Sequence, residues 1–538
     1  VFKILNSQSK SITGAAIILA GATLINKFVG IARDRTIAHY FGTGAVTDAY
    51  YAAFKIPDLI YNLLVVGALT AGFIPVFTKL FYKSEDKTPA WKMASNVINI
   101  IGLSLIILSG LGMIFAPRLS TLIAPGFAPE NFKLVADFTR IMFLSPILLG
   151  LSMVVGGILQ SVRRFVLYSI APIFYNIGII IGAAFLVPLF GPIGLAWGVV
   201  LGAFLHFIIQ LIGAIQAGYH WQFIFNLKDA NTRLIGKLMI PRTLGLAVSN
   251  LNTIVTTILA SLLPAGSVAA YSFADNLQWV PIGIIGVSFS LAVFPVLSSA
   301  AAVDNHTEFS QNLISTARQI LFFIIPTSVI FLLLRAQIVR VILGSGAFDW
   351  DATINTADAL AFFALGLFAQ ALIPLFARAF YALSNTKTPF IISIIASICN
   401  IAISLLLMKK MHVAGLALAA SIGAIINFAL LAIFLRKKIE DTEVEKTFSA
   451  LYKMSGAALC MGVIIQTLKK PLAIIFNQDY FWGIFGQGAV AGSVGLAIYA
   501  VLCYILQLDE MNIFIQSLHK RWLKLRNVPT EGIAETKE

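Results

Sequence analysis

The sequence predicts an all-α polytopic membrane protein with about 14 transmembrane helices, arranged as two parallel six-helix lobes plus two C-terminal helices. Three observations carry this. Apolar blocks of bilayer length follow one another almost without a break from Ile12 to Leu508. Hydrophobic residues make up 59% of the chain and charged residues 12%, against about 25% charged in an ordinary soluble domain, so a soluble fold could not hide this apolar surface. Sequence features also recur at an offset near 220 residues.

A helix needs about 20 residues to cross about 30 Å of hydrocarbon, and open sheet edges are excluded there. On that measure spans are expected at 12–32, 57–78, 93–116, 137–158, 167–187, 192–215 and 240–262. Seven more are expected at 271–298, 319–339, 356–377, 389–408, 412–435, 450–468 and 486–508. Pro146, Pro172, Pro281 and Pro326 fall inside spans, where neighbouring helices make proline tolerable. Polar residues interrupt the first and eighth runs, so thirteen spans with one re-entrant segment is the alternative. The segment Val1–Ser11 carries only Lys3 and Lys10 and no small-residue cleavage site follows it, so it is expected as a retained interfacial arm.

The repeat is specific. Gly194-Leu195-Ala196 followed by Gly202-Ala203 recurs as Gly415-Leu416-Ala417 followed by Gly423-Ala424, and Asn176 before a run of isoleucines recurs as Asn400. Gly67 with Phe73-Ile74-Pro75-Val76 matches Gly286 with Val293-Phe294-Pro295-Val296. Each unit holds an even number of spans, so both enter the membrane in the same direction. A pseudo-two-fold axis along the membrane normal and a cavity between the lobes are the expected result. The implied boundaries are 1–220, 221–445, an additional helix pair at 446–508 and a cytoplasmic tail at 509–538.

Orientation comes from Lys and Arg. With the N-terminus inside, inner loops hold Lys79, Lys83, Lys87 and Lys92, Arg163 and Arg164, Lys228, Arg233 and Lys237, Arg378 and Lys387, and Arg436, Lys437, Lys438 and Lys446. The tail adds Lys520, Arg521, Lys524 and Arg526, while outer loops are sparser, so both termini are expected in the cytoplasm. The net charge of +14 follows the inner face, which points to anionic membrane lipids and away from nucleic acid.

Several polar residues stand where an apolar run predicts none. The first span and its exit contain Asn26, Lys27, Arg33, Asp34 and Arg35, with Asp48 further on. A charge near the bilayer centre costs at least about 2.5–3.5 kcal/mol, so such groups face a partner or a wet cavity. Asn26, Lys27 and Arg33 can line one broad polar side, and a cationic cavity selects an anion. Arg33, Asp34 and Arg35 also fit snorkelling at the interface. In the second lobe Asp275, Asn276 and Gln278 stand at the head of a span, either lining the cavity or, for Asp275, capping the helix. Asn176 and Asn400 are expected to bond between helices, with cavity lining or cation coordination the lesser option.

Enzymatic chemistry has no support. There is no Walker motif, Ser/His/Asp arrangement or CxxC, and the six histidines show no metal-ligand spacing. Cys399, Cys460 and Cys503 lie in apolar runs and read as packing residues. No catalytic residue, metal or tightly bound cofactor is expected, and the driving force must be a Na+ or H+ gradient or the membrane potential.

At these residues the chain resembles the MurJ (MviN) family of lipid II flippases, in the superfamily of multidrug and polysaccharide-lipid exporters. The resembling stretches are Gly30-Ile31-Ala32-Arg33-Asp34, Gly42-Thr43-Gly44 through Thr47-Asp48-Ala49-Tyr50, Ala53-Phe54-Lys55-Ile56-Pro57-Asp58-Leu59 and Gly67-Ala68-Leu69 through Phe73-Ile74-Pro75. Leu122-Ile123-Ala124-Pro125-Gly126-Phe127 and Ala379-Phe380-Tyr381-Ala382 with Thr386-Lys387-Thr388-Pro389 extend the match. The resemblance implies alternating-access movement of lipid II, the undecaprenyl-pyrophosphate-linked disaccharide-pentapeptide, from the cytoplasmic to the outer leaflet of the bacterial inner membrane. It also implies a C-terminal groove for the lipid tail and puts Lys27, Arg33, Asp34 and Asp48 at functional charges; Lys27 stands where an arginine is common. Tyr61-Asn62, Val66 and Asp275-Asn276-Leu277 depart from the family, which usually has arginine after its Pro-Asn-Leu-Leu, a glutamate before the Gly67 position, and Asp-Arg-Leu. Asn400 with Ser404 one turn on replaces an Asn and a carboxylate associated with ion coupling. Candidate cavity residues are therefore Asn26, Lys27, Arg33, Asp34, Asp48, Tyr61, Asn62, Asp275, Asn276 and Gln278, with Asn400 and Ser404 as candidate ion-coupling residues, in a protein expected to act as a monomer. Export of another polyprenyl-linked anionic glycan, and ion-coupled multidrug antiport, are the alternatives; a scaffold without transport leaves the polar clusters unexplained.

Overall fold

The computed structural model describes residues 12–66, 72–83, 85–436 and 444–525. The arm Val1–Ser11 with Lys3 and Lys10, the Gly67-Ala68-Leu69 stretch, Lys437 and Lys438, and the tail from Arg526 onward lie outside the described residues. Every regular element among those described is helical. The first repeat forms α1 (Ile12–Phe41), α2 (Ala45–Ala53), α3 (Lys55–Tyr61), α4 (Ile74–Lys83), α5 (Thr88–Ile123), α6 (Pro129–Met142), α7 (Leu144–Ser161), α8 (Phe165–Ile181), α9 (Val187–Phe190) and α10 (Ile193–Gln216). The second forms α11 (Ala230–Ser261), α12 (Ser267–Pro281), α13 (Ser288–Ala302), α14 (His306–Leu333), α15 (Arg335–Leu343), α16 (Trp350–Ala382) and α17 (Lys387–Arg436). Beyond it come α18 (Val444–Ile475), α19 (Phe481–Ile505) and α20 (Asp509–Leu525).

Among the described residues, ten helical stretches are long and apolar enough to cross a membrane. Several outrun the apolar block that announces them. The helix α5, for example, spans Thr88–Ile123 around an expected 93–116, because backbone hydrogen bonding continues through polar ends such as Lys92 and Arg118. The 50-residue α17 is not one rod. His412 leaves the helical region at φ 49°, ψ −130°, and a Cβ on Gly415 would lie 2.9 Å from the Leu407 carbonyl. Residues eight apart in a straight helix are about 12 Å apart, so α17 is a hairpin whose arms match the expected 389–408 and 412–435.

The repeat is written in the backbone as well as in residue types. Positive φ occurs at Arg163 and Ser384, and again at Gly191 and His412, each pair 221 residues apart. A π-helical turn, Asn62–Val66, follows α3, and another, Ile282–Val287, follows α12. Wider turns of this kind release carbonyls from the regular ladder and mark bends. Pro281 explains the second, since its missing N–H breaks the ladder immediately upstream.

The chain forms two compact units that cut across the repeat. The first comprises Val1–Asp275, Ile342–Ala359 and Ser393–Ala419, and the second Asn276–Val341, Leu360–Ile392 and Ala420–Glu538. Within the first, Phe73, Phe77, Met93, Val97, Val154 and Ile158 form an apolar core. Glycine also lets α8 and α10 touch through their backbones: a Cβ on Gly178 would lie 2.2 Å from the Gly202 Cα. In lipid, where no hydrophobic force drives helices together, such close van der Waals contact is a main source of association. The second unit has one core around Leu297, Phe309, Leu367 and Phe380, and another joining Phe322 to Met454, Met461 and Tyr499 of the additional helix pair.

Candidate functional site

The charges of α1 are gathered, not scattered. Residues seven apart share a helix face, so Asn26 lies under Arg33 and Lys27 under Asp34. The Arg33 guanidinium donates from Nε and Nη2 to Asp34 Oδ1 at 2.9 and 2.7 Å, and from Nη1 to Asn176 Oδ1 at 3.0 Å. Asn176 in turn donates from Nδ2 to Asn26 Oδ1 at 2.9 Å and to its own helix at Pro172 O. One amide on α8 thus holds two polar residues of α1 while Asp34 neutralises the arginine. The Arg33 side chain keeps 23% of its surface exposed. Lys27 is half-buried and makes no ion pair with a described residue. Beside this polar side, Leu24, Ile25 and Phe28 are exposed.

Asp48 has a different occupation. Its carboxylate, 2% exposed, accepts from the backbone N–H of Gly266 at 2.6 Å and of Ala269 at 2.7 Å. These are orphan donors at the start of α12, where the helix dipole also favours a negative charge. The N-terminal anchor of α12 is therefore supplied from 218 residues upstream. Around it, four loops meet backbone to backbone. A Cβ on Gly266 would lie 2.1 Å from Thr43 O, on Gly42 2.4 Å from Ala347 O, on Gly126 2.2 Å from Ser261 O and on Gly346 2.3 Å from His39 O. Gly126 and Gly346 are repeat-related and so are their partners, so the two repeats exchange equivalent contacts. The Ala347 N–H also donates to His39 O at 2.8 Å. Nothing but glycine fits at these crossings without moving a main chain.

The remaining predicted residues are dispersed. Asn62 opens the first π-helical turn and donates to Asn250 Oδ1 at 3.1 Å, with Tyr61 half-buried beside it. The expectation that Asp275 heads its span is corrected: α12 starts at Ser267, so Asp275 lies two turns inside it and cannot cap it. The helix-breaking turn at Pro264-Ala265-Gly266 conceals that early start. Asp275 and Asn276 are half-buried, and both make interactions of their own. Gln278 is buried in the second unit and accepts from Gln370 Nε2 at 2.9 Å. Asn400 donates to Asn252 Oδ1 at 3.2 Å and accepts from Ser404 Oγ at 3.4 Å. Sequence reasoning missed Asn250, Asn252 and Gln370. The repeat offered a signal for Asn252, since it stands to Asn400 as Asn26 stands to Asn176.

A repeated helical bundle with charges in its first helix and a glycine-packed loop end defines a multi-pass α-helical membrane protein. The fold agrees with that class: a multidrug resistance MATE family transporter in an inward-facing conformation superposes with TM-score 0.65 at 15% identity, over 79% of this chain and 98% of that one. The model of the family described as "Lipid II flippase MurJ" matches residues 37–485, and the chain belongs to this family. A probable lipid II flippase MurJ of Rickettsia prowazekii is 30% identical over 506 residues, 92% of this chain and 97% of its own. The lipid II flippase MurJ of Burkholderia cenocepacia is 30% identical over 461 residues, covering 84% and 89%. A solved lipid II flippase MurJ in an inward closed conformation matches with TM-score 0.76 and 26% identity, over 92% of this chain and 99% of that one.

Proposed function

We propose that this protein flips lipid II from the cytoplasmic to the outer leaflet of the bacterial inner membrane, as a transporter and not an enzyme. The observation that carries the proposal is the cationic side of α1, where half-buried Lys27 and partly exposed Arg33 stand in a chain of the flippase family. An anionic pyrophosphate suits two cations inside low-dielectric walls, where attraction is stronger than in water. Asp34 and Asn176 hold Arg33 ready without consuming all of its donors.

In this reading the chain has fourteen spans in two parallel lobes, both termini lie in the cytoplasm, and it acts as a monomer. The loop end packed around Asp48 then faces outward, and its glycine contacts shut the outer exit while substrate enters from inside. The helices α18 and α19 would take the lipid tail. Asn400, bonded to Asn252, and Ser404, bonded to Asn400, are the place to look for coupling to Na+, H+ or the membrane potential. A second reading rests on Tyr61, Asn62 and Asn276 standing where the family carries arginine: fewer cations suit another polyprenyl-linked anionic glycan.

The deciding experiment measures leaflet accessibility of lipid II in cells depleted of the protein and then restored. Inner-leaflet accumulation relieved by wild type, but not by Lys27→Ala or Lys27→Glu, is expected. No accumulation on depletion would remove lipid II as the substrate.

A further inference from the structure

Within the first unit, a carboxylate and three tyrosines gather beside the charges of α1. Asp58 of α3 lies inside an expected span, yet it is exposed. A carboxylate is costly among acyl chains, so Asp58 opens on water enclosed by helices. Tyr61 stands one turn further along the same face of α3, and Tyr168 and Tyr175 are seven apart on one face of α8. Asp58 acts electrostatically on both Tyr61 and Tyr175, and Tyr168 acts on Tyr61, so the two helices turn these groups toward one another.

The three tyrosines are half-buried and, among the described residues, none stacks on another ring, whereas Tyr50 and Tyr51 pair with each other. A Cβ on Gly156 would lie 3.1 Å from Tyr168 Cδ2, and one on Gly202 3.1 Å from Tyr175 Cδ2, so the backbones of α7 and α10 support one side of each ring. Arg33 also acts on Tyr175, and Asn176, next in sequence, is the residue that holds this arginine. The tyrosines therefore begin where the proposed pyrophosphate contact ends.

A pyranose ring has an apolar C–H face and a rim of hydroxyls. Aromatic rings cover the first, and a carboxylate accepts hydrogen bonds from the second. We propose that Asp58, Tyr61, Tyr168 and Tyr175 form a subsite for the hexopyranose attached to the pyrophosphate, Asp58 accepting from its hydroxyls and the tyrosine rings covering its C–H face. The subsite rests on the reading that the carried lipid is a pyrophosphate-linked glycan. Tyr61, standing where the family carries arginine, then reads sugar in place of charge. Lys55, three residues before Asp58, offsets the repulsion between that carboxylate and the phosphates.

The test compares two lipids on the full chain in nanodiscs: lipid II, and undecaprenyl pyrophosphate, which has the tail and the phosphates without the sugar. Charge-assisted hydrogen bonds from sugar hydroxyls should make the wild type bind lipid II at least about tenfold more tightly. Asp58→Ala should remove most of that preference by weakening lipid II alone, and undecaprenyl pyrophosphate should bind at least as well as before, because a negative charge has left. Tyr61→Leu should reduce the preference and Tyr61→Phe should keep most of it. Lys27→Ala should weaken both lipids alike. Equal affinity of the wild type for the two lipids, or parallel loss of both in Asp58→Ala, overturns the subsite and leaves pyrophosphate binding and flipping standing. Binding of neither lipid by the wild type removes the flippase reading, and the subsite with it.

Discussion

Two amide pairs, one in each repeat, make the same bond for different ends. In the first, Asn176 donates to Asn26 at 2.9 Å; in the second, Asn400 donates to Asn252 at 3.2 Å. Seven residues after Asn26 stands Arg33, and seven after Asn252 stands buried Leu259. The first amide therefore serves a guanidinium and the second only a serine hydroxyl. The shared bond is scaffold, inherited by both repeats, and the added charge marks where one of them was specialised.

The largest expected effect comes from erasing that difference. Arg33→Leu would make the first pair resemble the second, leaving the buried Asp34 carboxylate without its neutralising guanidinium. Removing one member of a buried ion pair costs about 3–5 kcal/mol. Arg33→Leu should fail to restore lipid II to the outer leaflet and should lower the unfolding temperature. Pairing it with Asp34→Leu should recover folding and not transport. If the double variant transports, Arg33 is structural and the contrast between the repeats carries no function.

Next in size is Asp48→Ala. It leaves the N–H groups of Gly266 and Ala269 buried and unpaired, at about 1–3 kcal/mol each. Since about 1.4 kcal/mol is tenfold in an equilibrium, the packed loop end should open at least tenfold more often, read as faster labelling of a cysteine at Thr43 by a membrane-impermeant reagent. Asp48→Asn, which keeps one acceptor, should fall between. Unchanged labelling would mean that the glycine contacts alone hold the loops together.

Those contacts sharpen the comparison further. Gly126→Ala and Gly346→Ala would place methyl groups 2.2 and 2.3 Å from equivalent carbonyl oxygens. Only Gly346, at φ 57°, also sits in the left-handed region, where a side chain costs about 1–2 kcal/mol more. Both should loosen the loop end in the same labelling assay, with Gly346→Ala the stronger. Equal effects would show that the loops relax around the strained position.

The sequence exposed the helices and the charges of α1 for one reason: both are departures from a background that hydrocarbon makes strict. An arginine in an apolar run is conspicuous, and so is a repeated Gly-Leu-Ala. The partner of Asp48 was hidden because it is backbone N–H, which every residue type but proline carries. The start of α12 was hidden because Ser267 to Ala270 is helical through the bonds it makes and not through its hydropathy. Val66 and its neighbours kept too few polar marks for the bend after α3 to be foreseen, although its counterpart after Pro281 was signalled by the proline.

The smallest effect tests the shared bond itself. An interhelical side-chain hydrogen bond in a membrane protein averages about 0.6 kcal/mol, because partners are also found in the unfolded chain within lipid. Asn400→Leu removes one such bond, leaves the donor Ser404 with its own helix carbonyls, and should shift the unfolding midpoint only slightly. Asn176→Leu removes the bond to Asn26 and also strands one Arg33 nitrogen, so it should cost more and should impair transport as well. A double-mutant cycle of Asn176→Leu with Arg33→Lys separates the two parts. Coupling well above the Asn252–Asn400 value would show that the first amide orients a charge, whereas equal coupling in both repeats would reduce it to scaffold.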